Sequence, residues 1–176
     1  MAGDLNPQAS KRIRYLSDEQ QYAAVYATES ESDTGKPLFF TQTDIRQYLD
    51  TKAAAYTMVD CLLDTAGCSM EELSRCYLSG AFSAHSDLES AITIGMFPDI
   101  PREKYSAYAN TSLDGARILL LDRDRLKELQ ELTDKIYCIQ FASKPDFLIR
   151  MQAAKFLPHT DMSRYPTIAE KLNEES

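Results

Sequence analysis

The sequence has no uninterrupted apolar run near the roughly 18 residues that a membrane span needs. Its start, Met1-Ala2-Gly3-Asp4, lacks the basic and apolar regions of a secretory leader. No membrane association is therefore expected, and a cytoplasmic location is. Basic clusters are scarce too. Lys11-Arg12-Ile13-Arg14 is the longest in a chain of 27 acidic and 19 basic residues with formal charge -8, so nucleic acid is not an expected partner. The four cysteines, Cys61, Cys68, Cys76 and Cys138, contain no C-x-x-C pair and read as reduced core or surface thiols. A metal site would have to gather them with His85 and His159 from distant segments, and none is expected. Gly-x-x-x-x-Gly-Lys, Gly-x-Gly-x-x-Gly, Gly-x-Ser-x-Gly and His-Glu-x-x-His are all missing, which removes the self-contained phosphate-loop, dinucleotide, serine-hydrolase and zinc-protease chemistries.

What remains is 176 residues, 44% of them hydrophobic, enough for one domain with its own core. Residues 1–11 carry no periodicity and are expected to wander, residues 12–158 to form the domain, and residues 159–176 to trail as a tail with at most a short helix. Ile13 and Tyr15 alternate with charged neighbours, Ser17-Asp18-Glu19 turns, and Tyr22 to Ala27 returns, which predicts a hairpin with Pro37 to Thr41 as a third strand. Thr41 and Asp44 then open a long helix with apolar residues at Ile45, Leu49, Ala53, Tyr56, Val59, Leu63 and Ala66, closed by Gly67. Beyond it the reading runs through a short helix after Ser69, a strand near Cys76, a helix from Ser86 or Asp87, a rigid Gly95 to Pro101 connector and a strand at Lys104 to Ala109. Next come a helix capped by Thr111 or Ser112, a charged helix from Asp124 to Asp134, a strand at Ile136 to Phe141, and a helix from Ser143 to Ala154 with Pro145 in its first turn. Antiparallel strands followed by alternating helices and strands predict an α/β fold with a mixed sheet and helices on both faces.

The chemistry-bearing stretch is Arg75-Cys76-Tyr77-Leu78-Ser79-Gly80-Ala81-Phe82-Ser83-Ala84-His85-Ser86-Asp87. An apolar strand that empties into small residues before a helix start is where α/β proteins hold anionic or nucleotide ligands, because N–H groups converge there and no bulky side chain intervenes. Ordinary strand-to-helix turns look the same. Asn110-Thr111-Ser112-Leu113-Asp114-Gly115-Ala116 repeats the pattern, which makes Asn110, Thr111 and Ser112 a secondary small-residue loop. Asp33, Asp44 and His85 are the remaining candidates, for a small hydrolase. Asp33 also fits a polar turn, Asp44 a helix start favoured by the dipole, and His85 a solvated side chain.

From Thr41 to about Pro158 the chain resembles the C-terminal part of the reductive activators of corrinoid proteins, members of the superfamily of acetate and sugar kinases, heat-shock ATPases and actin. The resemblance rests on the blocks Leu38 to Arg46, Tyr77 to Ser83, Glu89 to Pro101, Asn110 to Ala116 and Pro145-Asp146-Phe147. It implies a ribonuclease-H-like domain, one half of an actin-like ATPase, in which Ser79, Gly80, Ala81, Phe82 and Ser83 match the adenosine loop. Ala81 and Ser83 stand where the family has glycines, and each added Cβ limits positive φ and close backbone approach. The family's iron-sulphur domain and first ATPase half are not expected here. ATP and magnesium are accordingly implied only together with an N-terminal half, no iron-sulphur cluster is expected in this chain, and no catalysis is expected from it alone. Two readings stand: a partial ATPase-type domain supplying an adenosine half-site and a docking surface, and a non-enzymatic interaction module that has lost nucleotide binding. In the second the sheet edge or the connector near Phe97 would dock a corrinoid protein, a methyltransferase or a second copy of the chain.

Overall fold

The computed structural model describes residues 4–80 and 85–174. Strands β1 (Ile13–Leu16), β2 (Gln21–Ala27) and β3 (Leu38–Thr41) form an antiparallel sheet in that order, with Ile13 opposite Ala24 and Ala23 opposite Thr41. The period of two places Ala23 and Val25 inward, while Tyr22 and Tyr26 stay exposed and pair with Tyr15 and Phe40 at ring distances of 5.3 Å each.

Helix α1 (Gln42–Ala66) starts as the sequence predicts. The Thr41 hydroxyl accepts from the Asp44 N–H at 3.1 Å and the Thr41 N–H donates to the Asp44 carboxylate at 2.8 Å, a reciprocal capping box. Gly67 ends the helix in the left-handed conformation at φ 67°, its N–H donating to the Asp64 carbonyl at 3.2 Å. Strand β4 (Cys76–Ser79) follows, and after α2 (Leu88–Thr93), capped by Asp87, strand β5 (Tyr105–Tyr108) lies parallel to β4. Helices α3 (Thr111–Leu121), α4 (Arg125–Thr133), α5 (Phe147–Ala154) and α6 (Pro166–Glu174) complete the order.

The α/β composition is as expected, with one difference in arrangement: the described strands fall into a three-stranded antiparallel and a two-stranded parallel sheet. Residues 69–72 form a turn rather than a short helix, held by the Ser69 N–H on the Glu72 carboxylate at 2.7 Å, and Met70 packs against the core there. Residues 136–141 are not a strand. A strand needs a ladder partner, no described strand pairs with this segment, and Ile136 and Tyr137 are 74% and 82% exposed. Pro145 precedes α5 instead of lying in its first turn, since Phe147 begins the helix.

The central cluster joins Ala53 and Tyr56 of α1, Ile92 of α2, Ala154 of α5, and Tyr165 and Ile168 from the segment expected to trail as a tail. Tyr165 is fully buried and its hydroxyl donates to the Gly95 carbonyl at 3.1 Å. The buried Asp99 carboxylate accepts from the Thr167 N–H at 2.8 Å and from its hydroxyl at 2.7 Å, thereby capping α6 from the connector. Near the N-terminus, the Leu5 N–H donates to Gln42 Oε1 at 2.7 Å and Asp4 pairs with Arg46 at 2.7 Å.

Hydrogen bonds hold several carboxyls below the ordinary value of 3.8: Asp44 through Thr41, Asp87 through Ser90, Asp64 through Lys144 and Asp146 through Arg150. A carboxyl whose folded value is lowered adds stability above its unfolded value and loses it as pH falls through the folded one. The melting temperature is therefore expected to hold down to about pH 5 and to fall below about pH 4. Thermal melts across that range check this, with Asp44→Asn removing part of the acid slope; a fall that begins near neutrality would contradict it.

Candidate functional site

Parallel pairing of β4 with β5, Ser79 opposite Tyr108, brings the carboxyl ends of both strands to one edge. The two small-residue stretches singled out in the sequence meet there. Ser79 Oγ and Thr111 Oγ1 are 2.6 Å apart, sharing one hydrogen bond, and the Gly80 N–H donates to the Ala109 carbonyl at 2.8 Å. Gly80 has φ +99°, a backbone that side chains rarely adopt, and no atom of the described residues lies within 4 Å of where a Cβ would project. Asn110, not Thr111 or Ser112, caps α3, its side-chain oxygen accepting from the Leu113 N–H at 3.0 Å. Thr111 and Ser112 lie exposed in the first turn of α3. Ala81, Phe82 and Ser83 of the sequence-level site lie outside the described residues.

The opposite face of this small sheet turns inward. Burial pushes the Cys76 thiol and the Tyr105 hydroxyl up, so neither ionises readily near neutral pH. Ser79, Gly80, Asn110, Thr111 and Ser112 offer hydroxyls, an amide and backbone N–H groups at a helix start, without an ionisable side chain among them. Such a set can hold a ligand by hydrogen bonds and offers no proton-transfer group.

The other candidates are not assembled into a site. The Asp44 carboxylate is occupied by Thr41, and Asp33 and His85 are exposed. Among the described residues no group of three His, Cys, Asp or Glu is placed to hold a metal ion. Nor is any helix long and apolar enough to cross a membrane. The connector near Phe97, read as a docking element, is instead part of the interior: Met96 and Ile100 are buried and the Phe97 ring lies 6.3 Å from Tyr105. Exposed apolar surface lies elsewhere, at Leu120 and Leu121 of α3 and Leu126, Leu129 and Leu132 of α4.

Sequence reasoning missed the polar groups of the α1 interior. Lys52 is fully buried, and its Nζ donates to the carbonyls of Ala154, Phe156 and Pro158, the last at 2.6 Å. Asp60 joins Arg150 at 2.9 Å and Arg164 at 2.7 Å, tying α1 to α5 and to the segment before α6. The signal was present, since Lys52 sits three residues after Leu49 and four before Tyr56, inside the apolar stripe.

Parallel strands that empty into paired small-residue loops, preceded by an antiparallel sheet and a long helix, make an α/β domain, and the family match assigns its class, that of the acetate and sugar kinases, heat-shock ATPases and actin. Residues 1–169 match the family described as the C-terminal domain of RACo, the ASKHA domain, and the chain belongs to that family. It is similar to the corrinoid activation enzyme RamQ of Eubacterium limosum, 28% identical over 148 residues that make up 83% of this chain and 25% of that protein. Similarity extends to the Co(II) methylated amine-specific corrinoid protein reductase of Methanosarcina barkeri, 31% identical over 102 residues, 58% of this chain and 19% of the other. Among solved structures, a reductive activator for corrinoid, iron-sulfur protein superposes with a TM-score of 0.83 at 32% identity, covering 94% of this chain and 26% of that one. The chain thus spans about a quarter or less of each relative's length.

Proposed function

We propose that the chain supplies the adenosine-side wall of an ATPase-type unit that drives ATP-dependent reduction of a corrinoid protein. The observation that carries this reading is the meeting of the Ser79-Gly80 and Asn110 to Ser112 loops at the carboxyl ends of β4 and β5. It is supported by the relatives, each of whose names refers to a corrinoid or a corrinoid protein. The loops hold a nucleoside by hydrogen bonds and backbone approach. Phosphate and magnesium contacts come from a second half that closes over them, so hydrolysis needs both. On this reading the leucines of α3 and α4 belong to the docking surface.

Calorimetric titration with ATP and ADP, alone and with the N-terminal remainder of a related activator, tests it. Binding is expected at least in the reconstituted pair. A folded protein that shows none in any condition sinks the reading. Ser79→Ala removes the hydroxyl facing Thr111 and is expected to weaken nucleotide binding about fivefold to tenfold, the worth of one hydrogen bond.

A second reading, a non-enzymatic module that docks a corrinoid protein or methyltransferase, is favoured by Ala81 and Ser83 in place of family glycines. It predicts saturable association with such a partner, unchanged by ATP and by Ser79→Ala. Nucleotide-dependent association would return the case to the first reading.

A further inference from the structure

A cavity of about 250 Å³ lies between α1, α5 and the segment that follows α5. Thr57, Asp60, Arg150, His159, Asp161 and Arg164 are among its lining residues. It shares no lining residue with the Ser79 and Asn110 loops. Thr57 is fully buried and its hydroxyl has no hydrogen-bond partner among the described residues. Such a group costs free energy unless something meets it. Two other threonines of the same helix behave differently. Thr51 donates back to the Gln47 carbonyl at 2.9 Å and Thr65 to the Cys61 carbonyl at 2.7 Å, so the backbone offers a solution that Thr57 does not take.

The neighbouring unpaired groups have the same polarity. His159 Nδ1 accepts from the Asp161 N–H at 2.9 Å, which assigns the ring proton to Nε2 in the neutral tautomer. Burial first, then the charges of Arg164 and Lys52, hold this imidazole below its ordinary value, so near neutral pH it stays a neutral N–H donor. Arg164 uses Nη1 on Asp60 at 2.7 Å and on the Tyr56 hydroxyl at 3.2 Å, while its Nη2 takes no hydrogen bond among the described residues. The lining carboxylates are paired: Asp60 holds Arg150 and Arg164, while Asp161 takes the Ser163 N–H and hydroxyl on Oδ1 and faces Arg164 Nε at 3.6 Å with Oδ2. Three donors without a partner among the described residues line one small cavity whose carboxylates are ion-paired, and they call for an acceptor-rich guest.

We propose that this cavity binds a small oxyanion, a carboxylate or phosphate group, received by the Thr57 hydroxyl, His159 Nε2–H and the outer edge of the Arg164 guanidinium. The guest is a free anion or an acidic group presented by a partner, and its chemistry is the same in both cases. Binding here is independent of nucleotide at the β4–β5 loops.

Sodium phosphate and sodium acetate are titrated against sodium chloride at matched ionic strength. Melting temperature and the NMR signals of the Thr57 amide and the His159 ring are followed. The expected result is a saturable response to one oxyanion beyond that to chloride, weakened about tenfold by Thr57→Val and retained by Thr57→Ser, which keeps the hydroxyl. Preference for phosphate assigns a tetrahedral guest; preference for acetate assigns a carboxylate. No response beyond chloride, or an undiminished response in Thr57→Val, overturns the proposal and leaves a cavity that holds only water. If Thr57→Val does not fold, the wild-type His159 ring decides, since an oxyanion that leaves its signals unmoved is not bound beside it.

Discussion

Lys52→Met is expected to lower stability by about 3 kcal/mol, the scale of breaking a buried charged contact less the cost of desolvating the ammonium. The amine is fully buried, and its three N–H groups match three carbonyls, those of Ala154 at the end of α5 and of Phe156 and Pro158 beyond it. Methionine fills a similar volume but offers no donor, leaving those carbonyls unanswered in a dry interior. Burial pushes the Lys52 amine down to about 8, so at pH 7 it is charged in both the folded and the unfolded chain. Urea denaturation at that pH therefore reads the contacts and not a titration. A loss below about 1 kcal/mol would mean that water reaches the carbonyls and replaces the amine.

Gly95→Ala is expected to be at least as damaging, by about 4 kcal/mol, a large share of the 5 to 15 kcal/mol that holds a domain together. The added Cβ would fall 2.2 Å from the Pro158 carbonyl oxygen and 2.8 Å from its Cα, both backbone atoms that cannot swing aside, at a φ of +79°. Gly80→Ala supplies the contrast. Gly80 also has positive φ but no atom of the described residues within 4 Å of the new methyl, so a conformational cost of about 1 kcal/mol is expected. Thermal denaturation of the two variants side by side tests the distinction, and equal losses would remove the Pro158 clash as the cause. Because Lys52 and Gly95 meet the same Pro158 backbone, the double variant is expected to lose less than the sum of the singles.

The elements with local signals were legible in the sequence. The Thr41 and Asp44 box, the Gly67 cap, the β1–β2 hairpin and the Asp87 start of α2 follow from side chains within four residues of the backbone they serve. The two small-residue loops were legible individually, but their meeting depends on the parallel register of β4 and β5, which no local pattern encodes. Ile136 to Phe141 has strand composition and no neighbour to pair with, so the β signal goes unused. Tyr165 and Ile168 look like tail residues among prolines and charges. They enter the core because Asp99, 68 residues earlier, caps the helix that carries Ile168. Lys52 and Thr57 were hidden by the habit of reading α1 as a stripe of apolar positions. The inner face also takes in Cys61, while Ala66 at the end of the expected stripe is exposed.

The buried Tyr165 and the Lys52 acceptors beyond Ala154 also bear on how the chain can fold as it is made. The hairpin and α1 form from contiguous sequence and can assemble early. Lys52 and the tyrosine pocket beside Gly95, however, must wait for partners that lie 106 and 70 residues further along the chain. On the ribosome the interior thus stays open until Tyr165 has emerged, and up to that point the nascent chain carries an unsealed interior of the kind that chaperones shield.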